Sequence, residues 1–113
     1  MNILLVDDDL DCLKAMQVMM EKMDHHCIAV DDPRDALEQC EQQSFDLIIT
    51  DFQMPAMNGS ELACKIRAKN PEAKIILITG YLPIAGSLPE SPFSAILEKP
   101  VGIHELKGVL DGI

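Results

Sequence analysis

The fold class that this sequence predicts is α/β, a parallel sheet covered by helices on both faces. Three observations predict it. Short apolar runs alternate with stretches of helical period along the chain, the pattern of strand–helix–strand units. The apolar runs are continuous rather than alternating, as burial on both sides of a sheet demands. At 113 residues the chain suits one sizeable core and is too short for two, so residues 1–113 are expected to form a single domain. No internal repeat, linker or low-complexity tract interrupts the alternation.

Each element has its own justification. Ile3-Leu4-Leu5-Val6 is a short apolar run that stops at Asp7-Asp8-Asp9, as a buried strand would. Leu13, Met16, Met20 and Met23 follow at helical spacing and predict a first helix from Leu10 to Met23. Asp9 is read as its N-cap in preference to a third acid in the edge cluster. His25 and His26 fall in a loop, and Cys27 to Val30 forms a second strand. Asp32-Pro33 opens a helix to Gln43, with Asp32 at the N-cap and Pro33 in the first turn. Leu47 to Thr50 is the third strand, and Asn58 to Lys69 a helix that stops before Asn70-Pro71. "KIILIT", Lys74 to Thr79, is a fourth strand and Ser94 to Glu98 a fifth. The last helix runs from Ile103 to Leu110, weakened by Gly108. Between the last two strands, where another helix is due, Pro83, Pro89 and Pro92 each remove a backbone donor and Gly86 adds further cost. A shortened or irregular fourth helix is therefore expected between Gly80 and Phe93.

Composition narrows the function. Apolar residues make up 48% and charged residues 25%, which excludes a disordered chain. Aromatic residues are 4% with no Trp, so the core must be aliphatic, with seven Met filling gaps. A net charge of −10 repels phosphate backbones, and no direct nucleic-acid binding is expected. No apolar stretch approaches the ~20 residues that span a bilayer, and no secretory signal opens the chain, so a cytoplasmic protein is expected. Cys12, Cys27, Cys40 and Cys64 form no CxxC pair and read as reduced, mostly buried thiols. His25, His26 and His104 have no partner at metal-ligand spacing and read as solvated or capping residues.

The chemistry gathers at one edge. Asp7 and Asp8 end the first strand, Asp51 the third, Thr79 the fourth and Lys99 the fifth. Ligands of open parallel sheets bind outside these carboxyl ends. Three carboxylates held together raise each other's pKa unless a cation sits among them. A hard divalent ion suits oxygen ligands, and Mg²⁺ is typical where a phosphoryl group completes the shell. Lys99 supplies a point charge for an anionic oxygen and Thr79 a hydroxyl donor. The set suits a carboxylate that receives a phosphoryl group.

"ILLVDDD", "LIITDFQMPAMNG", "IILITG" and "ILEKP", in that order, together resemble a response-regulator receiver domain of two-component signalling, over essentially the whole chain. The resemblance implies a flavodoxin-like doubly wound five-stranded parallel sheet in the order 2-1-3-4-5. It makes Asp51 the phosphoacceptor, with Mg²⁺ held by Asp8 directly, by Asp7 through water, by Asp51, and by the backbone carbonyl of Gln53. Thr79 and Lys99 become the phosphoryl-binding and switch residues, and Lys99-Pro100 a place where the family often carries a cis peptide. The partners implied are a sensor histidine kinase or histidine phosphotransfer protein and a downstream protein or fused output domain. The chain would then signal rather than act as an enzyme. One departure is Ile96, standing where the family usually places an aromatic switch residue; the other is the Pro-rich stretch in place of the fourth helix.

Two other classes fit these residues less well. A Mg²⁺-dependent phosphohydrolase with an aspartyl-phosphate intermediate resembling the haloacid-dehalogenase family needs a second Asp two residues after the nucleophile. Gln53 stands there and cannot protonate a leaving group. An unphosphorylated receiver-like interaction module would be favoured were Asp51, Thr79 or Lys99 missing, and all three are present.

Overall fold

Main-chain pairing joins five strands into one parallel sheet. The structure, a computed structural model, describes residues 1–80 and 93–112. The strands are β1 (Asn2–Val6), β2 (His26–Val30), β3 (Leu47–Asp51), β4 (Ile75–Thr79) and β5 (Ala95–Glu98), in the order β2-β1-β3-β4-β5. The helices among the described residues are α1 (Leu10–Lys22), α2 (Pro33–Gln42), α3 (Gly59–Lys69) and α4 (Ile103–Asp111). Fold class and strand order are those expected. The shortened or irregular helix expected between Gly80 and Phe93 falls on residues 81–92 and lies outside the described residues.

Alternation along the strands builds two half-cores. Ile3, Leu5, Leu47, Ile49, Ile76 and Ile78 face Leu13, Met16 and Met20 of α1 and Leu106 and Leu110 of α4. Leu4, Val6, Ile48, Ile75 and Leu77 face the other way, onto Ala36 of α2 and Leu62, Ala63 and Ile66 of α3. Each Leu or Ile so buried contributes about 1.5–3 kcal/mol relative to exposure. The sheet is thereby fixed from both sides, and its carboxyl edge becomes a rigid platform.

The helix starts are set by polar side chains. The Asp9 carboxylate accepts the Asp11 and Cys12 main-chain N–H groups at 3.0 and 3.4 Å, which settles its role as N-cap of α1. Asp32 caps α2 by accepting the Arg34 N–H at 2.8 Å, and the Arg34 guanidinium grips the same carboxylate. The hydrogen bond from the Arg34 side chain, then that from its N–H, hold the Asp32 carboxyl down at about 2. A depressed folded pKa stabilises above the unfolded value, and this cap is therefore lost only as the pH falls towards about 2. Asn58 and Glu61 close a reciprocal capping box on α3.

Three local expectations need correction. His26 is not in the loop but opens β2, because its N–H donates to the Met1 carbonyl and pairing continues beyond the apolar run. The cysteines are less buried than expected: Cys12, Cys27 and Cys40 are half-buried and Cys64 is exposed, all as free thiols. Cys27 packs at the margin of the α1–α4 half-core on the edge strand β2, which has only one neighbouring strand. Burial first, and the nearby Glu21 charge second, still push its thiol up to about 11. Met23 is the C-cap of α1 rather than its last helical residue.

Beyond that cap, Asp24 donates its N–H to the Glu21 carbonyl and His25 donates to that of Met20, the two bonds of a Schellman turn. The turn requires a left-handed residue, and Asp24 supplies it with φ at 63°. The left-handed region costs an L-residue roughly 1–2 kcal/mol, more than the roughly 0.5–1 kcal/mol of extra entropy that glycine loses on folding. Asp24→Gly is accordingly expected to stabilise the fold by about 0.5 kcal/mol. A urea titration checks this, and a lower midpoint for the variant contradicts it.

Candidate functional site at the carboxyl edge of the sheet

Strand register brings the acids together. Val6 pairs with Thr50, so Asp7 and Asp51 are the next residues outward on adjacent strands. These strands flank the point where the chain switches from building the sheet in one direction to building it in the other. Both aspartates continue the rows of Leu5 and Ile49, on the side covered by α1 and α4. Asp8 turns outward and is exposed, while Asp7 and Asp51 are 7% and 9% exposed. One carboxylate oxygen from each of Asp7, Asp8 and Asp51 lies within 4.8 Å of the other two.

Lys99 enters from the end of β5. Its main-chain N–H donates to the Thr79 carbonyl at 2.8 Å, extending the β4–β5 pairing one residue past the strand. The peptide bond to Pro100 is cis. The ammonium donates to Asp7 Oδ2 at 2.9 Å and stands 3.3 Å from Asp51 Oδ1. Asp7 also accepts the Asp9 N–H at 2.9 Å through its other oxygen.

The expected mutual repulsion is unevenly distributed. Asp7 holds the close lysine contact and a main-chain donor. Asp51 has the longer contact, and its pKa is raised by burial first and by the Asp7 charge second, against the pull of Lys99. Burial draws the Lys99 ammonium down, but the Asp7 hydrogen bond and the two carboxylates together outweigh it, leaving its pKa above the ordinary lysine value. Three carboxylates against one ammonium leave two negative charges uncompensated. An all-oxygen donor set with that excess, one member of it open to solvent, fits a hard divalent cation such as Mg²⁺.

The other predicted residues divide. Thr79 is buried at the end of β4, beside the lysine it binds through its carbonyl. Gln53 is exposed, two residues past β3. Ile96 is half-buried in β5 on the opposite side of the sheet, packed with the α2–α3 half-core. Two contributors escape a reading of the sequence. A Cβ on Gly59 would lie 2.4 Å from the Asp51 carbonyl oxygen and 2.8 Å from Leu77 Cδ1, so only glycine lets α3 start this close to β3. Thr50, fully buried, donates its hydroxyl to that same carbonyl at 2.9 Å. The Asn58-Gly59 pair was the available signal for the first; nothing local marks the second. Beside Lys99 a largely apolar cavity of about 390 Å³, lined by Cys12, Met16, Met19 and Val101 among others, opens along α1.

Comparison with known proteins agrees with this geometry. The response regulator receiver domain family matches residues 3–111, and the chain belongs to that family. The response regulator receiver protein CpdR of Brucella abortus is 36% identical over 108 residues, covering 93% of this chain and 89% of that protein. The transcriptional regulatory protein ZraR of Escherichia coli K12 is 29% identical over 97% of this chain, which spans only 25% of that longer relative. Among solved structures, the response regulator TrrA of Thermotoga maritima, in complex with Mg²⁺ and BeF, superposes with a TM-score of 0.92 at 28% identity, covering 98% of this chain and 96% of that one. Among the described residues no helix is long and apolar enough to cross a membrane.

The charge imbalance has a measurable consequence. A carboxyl whose folded pKa is raised favours the fold below its unfolded pKa, and that contribution is lost as the pH rises through the folded value. In metal-free buffer at pH 7, Asp51→Asn is expected to be more stable than the wild type by about 1 kcal/mol. The gap should narrow as the pH falls towards the ordinary carboxylate range of about 4. Mg²⁺ should raise the melting temperature of the wild type more than that of the variant, since the variant lacks one ligand. Thermal melts across pH, with and without Mg²⁺, measure both effects. A variant less stable than wild type at pH 7 without metal contradicts the reading.

Proposed function

We propose that this chain is a phosphoacceptor whose Asp51 takes a phosphoryl group from the phosphohistidine of a sensor histidine kinase or histidine phosphotransfer protein. The observation that carries the proposal is the buried Asp51 carboxylate, 3.3 Å from the Lys99 ammonium and clustered with Asp7 and Asp8. An Asp51 oxygen attacks phosphorus; the new O–P bond forms as the P–N bond to the donor imidazole breaks. The imidazole nitrogen leaves with the electron pair and takes a proton from solvent. Asp8, Asp7 (through water), Asp51 and the Gln53 carbonyl would hold Mg²⁺, which neutralises charge on the transferring oxygens when bound.

The remaining steps belong to the chain's own side chains. Lys99 already touches Asp51, so it needs only a small movement to follow the charge onto a phosphoryl oxygen. Thr79, at the end of the neighbouring strand, donates its hydroxyl to another oxygen. The cavity along α1 gives a donor side chain access beside Lys99. Ile96 has no polar tip and a small swing, so readout to a downstream protein or fused output domain relies on Thr79 and the segment that follows it. The result is a signalling domain that assists its own phosphorylation.

Incubation with acetyl phosphate and Mg²⁺ should add one phosphoryl group to the intact mass of the wild type and none to Asp51→Asn. Chelation of Mg²⁺ should prevent the gain, and hydroxylamine should remove it, as expected of an acyl phosphate. A label kept by Asp51→Asn refutes the site. Turnover of many acetyl phosphates without retained label supports the phosphohydrolase instead.

A further inference from the structure

The geometry points to Thr50 as a positioning residue that holds the main-chain peptide from which Asp51 projects; the inference rests on the reading of Asp51 as phosphoacceptor. Thr50 is wholly buried in β3 between Val6 of β1 and Leu77 of β4, a place that an aliphatic side chain would fill equally well. It carries a hydroxyl instead, donated at 2.9 Å to the Asp51 carbonyl. The peptide group beginning at that carbonyl ends at the Phe52 N–H, which donates to the Ile78 carbonyl at 2.9 Å.

One peptide plane is therefore held at both ends, by a side chain at its oxygen and by β4 at its nitrogen. With the plane fixed, Asp51 cannot rotate about its Cα–C bond. Gly59 leaves no room for a side chain beside the same oxygen, and its N–H donates to the Phe52 carbonyl at 2.7 Å, carrying the hold into the next peptide. Gln53, the proposed main-chain metal ligand, follows directly. Thr50 touches neither the metal nor the phosphoryl group; it acts through the backbone that presents Asp51 and Gln53.

Thr50→Val keeps the shape and removes the donor, whereas Thr50→Ser keeps the donor and removes a methyl group. Isothermal titration with Mg²⁺ alone, and the rate of phosphorylation by acetyl phosphate, are measured on the full chain beside a thermal melt. Thr50→Val is expected to lose roughly three- to tenfold in both Mg²⁺ affinity and phosphorylation rate, the scale of one lost hydrogen bond behind a metal site. Thr50→Ser should restore both. A merely structural threonine would move the melting temperature and leave Mg²⁺ affinity unchanged. If Thr50→Val does not fold, Thr50→Ala against Thr50→Ser makes the same comparison. A folded Thr50→Val with wild-type affinity and rate, or a serine variant as impaired as the valine one, overturns the inference. A wild type that binds Mg²⁺ yet takes no phosphoryl group refutes the phosphoacceptor reading instead, and the affinity comparison still decides the part played by Thr50.

Discussion

Two negative charges in excess, held at a sheet edge where two of the three carboxylates are buried, are the constraint on which the rest of this molecule depends. Asp7 and Asp51 stand on adjacent strands with less than a tenth of their surface exposed, and Lys99 is the ammonium between them. Such a cluster would spread apart in a compliant loop. Here the β1–β3 register, the β4–β5 pairing and two helical layers oppose that relaxation. Burial first and the Asp7 charge second raise the Asp51 pKa, and the fold keeps both rather than relieving them by movement. A cluster that cannot relax is a donor set that fits a hard cation.

The division of labour between the two half-cores serves the same end. On the α1–α4 side, Leu13 and the adaptable thioether of Met16 pack beside Asp7 and Asp51. On the α2–α3 side, small residues such as Ala36 and Ala63 bring the helices close, and α3 begins against the carbonyl of Asp51 itself. Among the described residues, the first side leaves open volume beside Lys99. The second sets the start of α3 too close to the Asp51 carbonyl to admit a side chain.

Much of this was legible in the sequence, for identifiable reasons. Continuous aliphatic runs separated by helical period can bury their surfaces in few ways other than a covered parallel sheet. An aspartate directly after Leu47-Ile48-Ile49-Thr50 is chemically anomalous and so betrays a site. What was hidden depends on contacts that local pattern does not encode. Thr50 reads as an ordinary β-branched strand residue, and its hydroxyl gains meaning only from the carbonyl that it meets. Gly59 reads as a helix start, but its lack of a side chain is demanded by Asp51, eight positions earlier. The left-handed Asp24 carries no glycine signal. Lys99 was legible as a cation at the acidic edge; its engagement with Asp7 emerges only in three dimensions.

The main-chain bond from Lys99 to Thr79 has one more consequence. Lys99 and Thr79, at the ends of neighbouring strands, are joined by backbone rather than by side chains, so a change of either side chain, proline at 99 excepted, leaves the donor and acceptor of that bond in place. A shift of the main chain at either residue is delivered to the other across 2.8 Å. The edge thus behaves as a lever with its pivot in the backbone: movement of the β5 end loads the end of β4, whichever rotamers the two side chains adopt.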